Sequence, residues 1–81
     1  MDSVIRRQAM SKAVLRVYTP GLEFDALVEG TLGMKRVGSG YAFGTCTRDM
    51  DFEYPTVALR DAAYDQAVQA FDGMQFRLVK R

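Results

Sequence analysis

The residues that could do chemistry are few in this sequence. It contains no histidine and a single cysteine, Cys46. It therefore lacks the commonest general base, the commonest metal ligand and every Ser-His or Cys-His pair. A zinc site needs about four nitrogen or sulfur ligands, and no neighbour in sequence would activate the Cys46 thiol. We expect Cys46 to be a small buried residue on a strand, and we expect neither an enzyme nor a cofactor or metal site.

Three carboxylates follow one another at a spacing of two residues, at Asp49, Asp51 and Glu53. On a β-strand this spacing puts all three on one face. Carboxylates at such a spacing form a solvated surface, a patch that contacts a protein, or a site for a hard cation. The glycine and the distal glutamate of a calcium loop are missing. The pattern favours an exposed acidic face over a metal site.

The first elements that must position these residues are a strand and an ambiguous segment. Residues 13–18 alternate in the manner of a strand, with Ala13, Leu15 and Val17 on one face. Residues 22–32 read as a helix, with Gly30 or Gly33 as the stop, or as an alternating strand. We favour the helix, because the segment is poor in residues that prefer strands. Its predicted apolar stripe contains Phe24, Leu27, Val28 and Thr31.

The middle of the chain predicts a hairpin. Residues 35–47 read as a strand with Tyr41, Phe43 and Thr45 on one face, and its glycines indicate a bulge or a close backbone approach. We interpret residues 47–49 as the turn and residues 50–54 as a second strand. Pro55 then ends this strand or confines it to a sheet edge.

The last third predicts a helix and a final strand. Residues 61–72 form an amphipathic helix with Asp61 as the N-cap and Gly73 just after the end. Residues 75–80 form the strand, with Phe76 and Leu78 facing one way. The predicted inner face of the helix contains Ala63, Tyr64, Ala67, Val68, Ala70 and Phe71.

The order of elements predicts the fold class. Strand, helix, strand, strand, helix, strand is the βαββαβ plan of ferredoxin-like α+β domains, an antiparallel sheet with one or two helices on one face. If residues 22–32 were a strand, a single helix would cover the sheet. We expect one domain over residues 12–81, preceded by a flexible N-terminal arm over residues 1–11.

Composition narrows the class of protein further. The chain has 81 residues and a net charge of +1, which is less basic than is usual for a strongly cationic nucleic-acid binder. A lone cysteine cannot form an internal disulfide, and no apolar run approaches the ~18 residues of a membrane span. We expect a cytoplasmic protein without a signal peptide.

The segment Ser39-Gly40-Tyr41-Ala42-Phe43-Gly44-Thr45-Cys46 resembles the aromatic strand of RNA-recognition-motif domains. In that family, aromatic side chains of this strand stack on bases. The resemblance implies that Tyr41 and Phe43 bind single-stranded nucleic acid.

The last third resembles small phage-encoded inhibitors of bacterial RNA polymerase. The resemblance rests on the strand Phe52-Glu53-Tyr54-Pro55, the acidic Ala-rich helix after it, and the basic strand Phe76-Arg77-Leu78-Val79-Lys80-Arg81. It implies that basic residues of the last strand, Arg77, Lys80 and Arg81, and an acidic patch of Asp51 and Glu53 touch the host enzyme.

We therefore expect a non-catalytic protein-binding module that blocks a host protein stoichiometrically. A nucleic-acid-binding domain using Tyr41 and Phe43 is the first alternative. A homodimer paired through exposed strand edges is the second. The predicted partner-binding residues are Asp49, Asp51, Glu53, Arg77, Lys80 and Arg81.

Overall fold

The fold is an antiparallel four-stranded sheet with two helices on one face. The computed structural model describes residues 13–81, so the predicted arm over residues 1–11 lies outside the described residues. The strands pair in the order β2-β3-β1-β4, which is the ferredoxin-like arrangement predicted from the element order. The elements in chain order are β1 (Ala13–Thr19), α1 (Asp25–Leu32), β2 (Gly38–Ala42), β3 (Thr47–Tyr54), α2 (Val57–Ala70) and β4 (Arg77–Lys80).

The two inner strands supply most of the core. Every second residue of β1, from Ala13 to Thr19, is buried, as its alternation predicts. Met50 and Phe52 of β3 lie on the same side of the sheet and are fully buried. The helices close this side, so that one core cluster forms from Leu15, Val17, Val28, Met50, Phe52, Ala67 and Phe71.

The segment 22–32 is helical, and the alternative strand is wrong. A 3₁₀ turn over Leu22–Phe24 leads into α1, which ends at Gly33 with a φ of 69°. Glycine adopts this left-handed conformation at little cost, so Gly33 stops the helix. Val28 is its buried residue, whereas Leu27 of the predicted stripe is exposed.

The hairpin turn lies earlier than the sequence predicts. Strand β2 ends at Ala42, residues 43–46 form the turn, and β3 already begins at Thr47. Residues 47–49 are therefore strand and not turn, because Arg48 is in phase with Met50 and Phe52 and joins the buried side. Pro55 ends β3, which is an inner strand between β2 and β1.

Helix α2 begins four residues before its predicted start. The Thr56 hydroxyl accepts a hydrogen bond from the Leu59 N–H at 3.1 Å, so Thr56 and not Asp61 is the N-cap. Ala67 and Phe71 are buried as predicted, with Ala63 and Tyr64 partly buried against the core. Val68 is 45 % exposed, which contradicts its predicted core position.

The final strand is shorter than predicted and still packs as expected. It covers Arg77–Lys80, with Leu78 against the core. Phe76 precedes the strand, and its ring meets those of Phe24 and Phe71 edge to face at 5.2 and 5.0 Å between centroids. In residues 13–81, no helix has the length and apolarity needed to cross a bilayer.

Candidate functional site

The sheet face opposite the helices carries most of the predicted site residues, and we call it the open face. Side chains alternate along each strand, so the register of the pairs fixes which residues share this face. Among residues 13–81, neither helix packs on it. The open face contains Val14, Arg16, Tyr18, Gly38, Gly40, Ala42, Thr47, Asp49, Asp51, Glu53, Arg77, Val79 and Arg81.

The three carboxylates lie in one line along β3, as their spacing predicts. Asp49, Asp51 and Glu53 are opposite Tyr18, Arg16 and Val14 of β1 in the strand register. We call these three residues the acidic strip. Successive members are about 6.8 Å apart along the strand, since each residue rises about 3.4 Å. The strip therefore presents carboxylates at a fixed repeat on a rigid inner strand.

The predicted basic cluster is split between the two faces. Arg77 pairs with Tyr18, and Arg81 pairs with Val14 through two backbone hydrogen bonds of 2.8 and 3.2 Å. Both arginines therefore share the open face, and we call them the basic pair. Lys80 points to the helix side, where its Nζ lies 3.6 Å from an Asp61 carboxylate oxygen and 4.6 Å from the centre of the Tyr64 ring.

Strand alternation could have separated Lys80 from the basic pair. Positions 77 and 81 have the same parity, and position 80 has the other. Two residues of opposite parity on one strand face opposite sides of a sheet. The structure thus brings five of the six predicted partner-binding residues together and leaves Lys80 out.

The middle residue of the acidic strip, Asp51, forms an ion pair with Arg16 of β1. Arg16 Nε donates to Asp51 Oδ1 at 2.7 Å and Arg16 Nη2 donates to Asp51 Oδ2 at 2.9 Å. These two hydrogen bonds lower the pKa of Asp51 and raise the pKa of Arg16. Both side chains are about one quarter exposed. The central charges of the open face are therefore satisfied within the sheet.

A shallow depression lies at the end of the open face nearest the β2–β3 turn. Its volume is about 450 Å³, and the Arg77 guanidinium lies over the Tyr18 ring at 4.6 Å at its border. A hydrogen bond from Arg16 lowers the pKa of the Tyr18 phenol. The depression offers an aromatic ring, a cation and hydroxyl groups to a ligand. Its lining residues are Tyr18, Ala42, Thr45, Thr47, Asp49 and Arg77.

Gly40 has a packing role beside the acidic strip. A Cβ at this position would lie 3.0 Å from Asp49 Oδ1, closer than side chains normally approach. The sequence predicts a bulge or a close backbone approach at Gly38, Gly40 and Gly44, but the structure has a close neighbour only at Gly40, and that neighbour is a side chain. A small residue on β2 lets the Asp49 carboxylate lean over the edge strand.

The two aromatic residues of the RNA-recognition-motif resemblance do not lie on the open face. Tyr41 is opposite Arg48 in the register and therefore faces the helix side. Phe43 belongs to the turn and is 85 % exposed. Their rings pack edge to face, with centroids 4.9 Å apart. The prediction that they share one strand face is wrong, because the strand ends between them.

Cys46 is exposed, not buried on a strand as predicted. It is the last residue of the turn and has a φ of 51°. Its Sγ lies 3.7 Å from the Phe43 carbonyl oxygen. The burial prediction failed because the turn was placed after Cys46 instead of around it.

The sequence patterns did not predict a buried ion-pair network on the helix side. Arg48 is 7 % exposed and donates to both carboxylate oxygens of Asp25, at 3.2 and 2.8 Å, and to the Gly40 carbonyl at 3.2 Å. Arg36 donates to Glu29 at 2.9 Å and lies 3.6 Å from Asp25. The available signal was an arginine in phase with two buried residues of the same strand. This network fastens α1 to the β2–β3 hairpin.

Metal binding and similarity to known proteins give no further indication of function. Over residues 13–81, no three acidic or cysteine side chains lie close enough together to hold a metal ion. No protein-family model, curated protein or solved structure matches the chain.

Proposed function

We propose that this protein is a small non-catalytic protein-binding module that acts by covering a surface of its partner. One observation carries the proposal. The open face bears a line of carboxylates on one side of β1 and two arginines on the other, at positions fixed by strand pairing. A partner with the opposite charge pattern would be held in one orientation.

Charge pairing across such a face would act mainly on orientation and association rate. Complementary charges steer a partner during diffusion and penalise wrong orientations, while adding less to affinity. The Arg16–Asp51 pair supports this role because it holds two side chains of the face in place through two parallel hydrogen bonds. A face with fixed charges loses little side-chain entropy on binding.

A host protein is the partner class that we propose. The resemblance to phage-encoded inhibitors of bacterial RNA polymerase supports it. Of the five residues which that resemblance implies, Asp51, Glu53, Arg77 and Arg81 share the open face, and Lys80 does not. The mechanism is then one-to-one occlusion of a functional surface. The proposal sets this binding in the cytoplasm, where the exposed thiol of Cys46 would remain reduced.

Capture from a bacterial lysate tests the proposal. The immobilised full chain is compared with a variant that carries Asp49→Lys and Glu53→Lys, and bound proteins are quantified by mass spectrometry. The matched control carries Asp65→Lys and Asp72→Lys, which change the net charge equally at exposed positions on and just after α2. We expect a protein that the parent and the control retain in equal amounts and the open-face variant loses. A captured protein that all three retain equally would place the interface elsewhere.

Nucleic-acid binding is the alternative, and the exposed ring of Phe43 beside Tyr41 favours it. Stacking on a base would contribute about 1–3 kcal/mol per aromatic residue and the binding would weaken with salt. Asp49 and Glu53 oppose it, because their carboxylates have no ion-pair partner among residues 13–81 and repel phosphates. Binding of short RNA and DNA to the parent, Tyr41→Ala and Phe43→Ala at low salt separates the two functions. We expect no binding by the parent.

A further inference from the structure

The charges of the open face are arranged in rows that run across the strands. In one row, Tyr18 lies between Asp49 on β3 and Arg77 on β4. The acid and the base are two strand spacings apart, with β1 between them, a distance of about 9.6 Å at ~4.8 Å per spacing. The row therefore has an acid and a base at equal distances on either side of β1.

A second row repeats this arrangement four residues earlier on β1, at Val14. Val14 lies between Glu53 on β3 and Arg81, to which it is joined by two backbone hydrogen bonds. The row between the two contains Arg16 and Asp51, which are already paired with each other. The face thus has two outer rows of separated charges and one neutralised central row.

The charges of the outer rows have no ion-pair partner among residues 13–81. In the structure, no acid of an outer row lies within 4 Å of the base of the same row. Elsewhere in the described chain, arginines 36, 48 and 60 each have a carboxylate within 4 Å. The outer rows therefore present unpaired carboxylates and unpaired arginines to a partner.

This pattern is complementary to itself. A second copy can be rotated by 180° about an axis parallel to β1 and laid with its open face on the first. Each β1 then faces the other β1, and each β3 faces the β4 of the other copy. The rotation keeps every row at its own height along the strands. Asp49 of each copy therefore meets Arg77 of the other, and Glu53 meets Arg81.

We infer that a second copy of this chain binds the open face and forms a two-fold symmetric dimer through four ion pairs between the outer rows. The charge pattern selects this arrangement, since a rotation about an axis across the strands would set the acidic strip on itself. Two aligned sheets cross at about 30°, which moves the rows apart by roughly 3 Å at their ends. The long arginine side chains can span this displacement.

The inference rests on the proposed function, because it uses the same surface, and it adds that dimerisation and binding of another protein exclude each other. The sheet plane is small. Four strands of about five residues cover roughly 300 Å², whereas a stable interface buries ~800 Å² of each partner. We therefore expect a weak dimer that forms at high concentration and low salt, and that releases its open face on dilution.

Sedimentation velocity of the full chain, from low concentration to about 1 mM and at two salt concentrations, is the first test. We expect a monomer–dimer equilibrium whose dissociation constant rises with salt, because exposed ion pairs are screened. A chain that stays monomeric at about 1 mM in low salt would overturn the inference. A dimer that is indifferent to salt would do the same and would indicate pairing of strand edges.

A charge-exchange experiment tests the arrangement of the rows. One variant carries Asp49→Arg and Glu53→Arg, and the other carries Arg77→Glu and Arg81→Glu. Each alone sets like charges against each other, and we expect its dissociation constant to rise at least about tenfold. Mixed one to one, the two variants form all four pairs again, two with the original residues and two with reversed sign, and we expect a heterodimer about as tight as the parent dimer. A mixture that remains monomeric would overturn the inference.

A control variant and a capture measurement distinguish failure of the dimer from failure of the proposed function. Asp65→Arg with Asp72→Arg makes the same charge change away from the open face, and this variant should dimerise like the parent. A monomeric chain that still captures another protein through the open face would overturn the dimer alone. A dimer whose open face captures no other protein would overturn only the proposed function.

Discussion

Arg16 of β1 and Asp51 of β3 lie opposite each other in the register and are joined by two parallel hydrogen bonds of 2.7 and 2.9 Å. They are 35 positions apart in the sequence, so the pair exists only when the two inner strands are aligned. The same strand alignment determines which residues lie beside one another on the open face, so the presence of this ion pair indicates that the open face is correctly formed. Its titration gives the first prediction.

Stability should depend on Asp51 in acid. Its pKa is lowered by the hydrogen bonds from Arg16, so the ionised carboxylate stabilises the fold above its unfolded pKa of about 3.9. This contribution is lost as the pH falls through the lower folded pKa. We expect Asp51→Asn to reduce the free energy of unfolding by ~1 kcal/mol at pH 6, and the difference to shrink as the pH falls through the lowered pKa of Asp51. Urea denaturation across this pH range measures it.

Glu53→Gln is the matched control for that series. Glu53 lies on the same strip but has no ion-pair partner among residues 13–81. We expect its substitution to change stability little at any pH. A loss for Asp51→Asn that is as large at pH 2 as at pH 6 would mean that packing, not the ion pair, causes it.

The buried Arg48 should matter more than its exposed neighbour in the network. Arg48→Met leaves the Asp25 carboxylate without its two closest hydrogen bonds, and we expect a cost of about 2–3 kcal/mol in the free energy of unfolding. Arg36→Met removes a side chain that is 34 % exposed and should cost less than ~1 kcal/mol. Chemical denaturation compares the two. Equal costs would contradict the assignment of Arg48 as the main fastener of α1.

Two adjacent residues of α2 test the phase of the helix. Ala67 is fully buried, so Ala67→Asp places an unpaired charge in the core and should cost at least ~3 kcal/mol. Val68 is largely solvent-facing, and Val68→Asp should cost about 1 kcal/mol or less. Thermal melting followed by circular dichroism separates them. A more severe loss at Val68 would support the helix phase predicted from the sequence.

Tyr54 should be more stable as phenylalanine. Its hydroxyl is buried without a hydrogen-bond partner among the described residues, and burial raises its pKa. An unsatisfied buried polar group costs about 1–3 kcal/mol, so Tyr54→Phe should raise the melting temperature by a few degrees. Tyr64→Phe serves as the control at a half-exposed tyrosine on the helix side. A lower melting temperature for Tyr54→Phe would reveal a partner for the hydroxyl.

Local patterns determined much of the fold. The alternation of apolar residues in β1 and around Met50 and Phe52 identified the two inner strands, since a strand with one buried face must alternate. Gly30 and Gly33 were the candidate ends of the first helix for a similarly local reason, the ease with which glycine takes a positive φ, and the structure selects Gly33. The order of these elements was sufficient for the fold class.

Boundaries were less predictable where a charged residue was buried. Arg48 is a charged residue in a segment whose sequence is typical of a turn, yet its side chain is buried. Its hydrogen bonds to Asp25, 23 positions earlier, make this burial favourable. The displaced turn also changed the surroundings of Phe43 and Cys46. The burial of a charged side chain that depends on a partner far away in the sequence cannot be predicted from a periodic pattern of apolar residues.

The spacing of two residues made the acidic strip predictable from the sequence, although Asp49 lay in the predicted turn and belongs to the strand only in the structure. The element order predicts which strands lie beside it, but not the register in which they pair. Placing β1 between β3 and β4 requires both crossovers and the pairing of residues more than 30 positions apart. Tertiary structure therefore decided that Arg16 neutralises Asp51 while the charges of the outer rows stay separated, because register is a property of paired strands and not of any one of them.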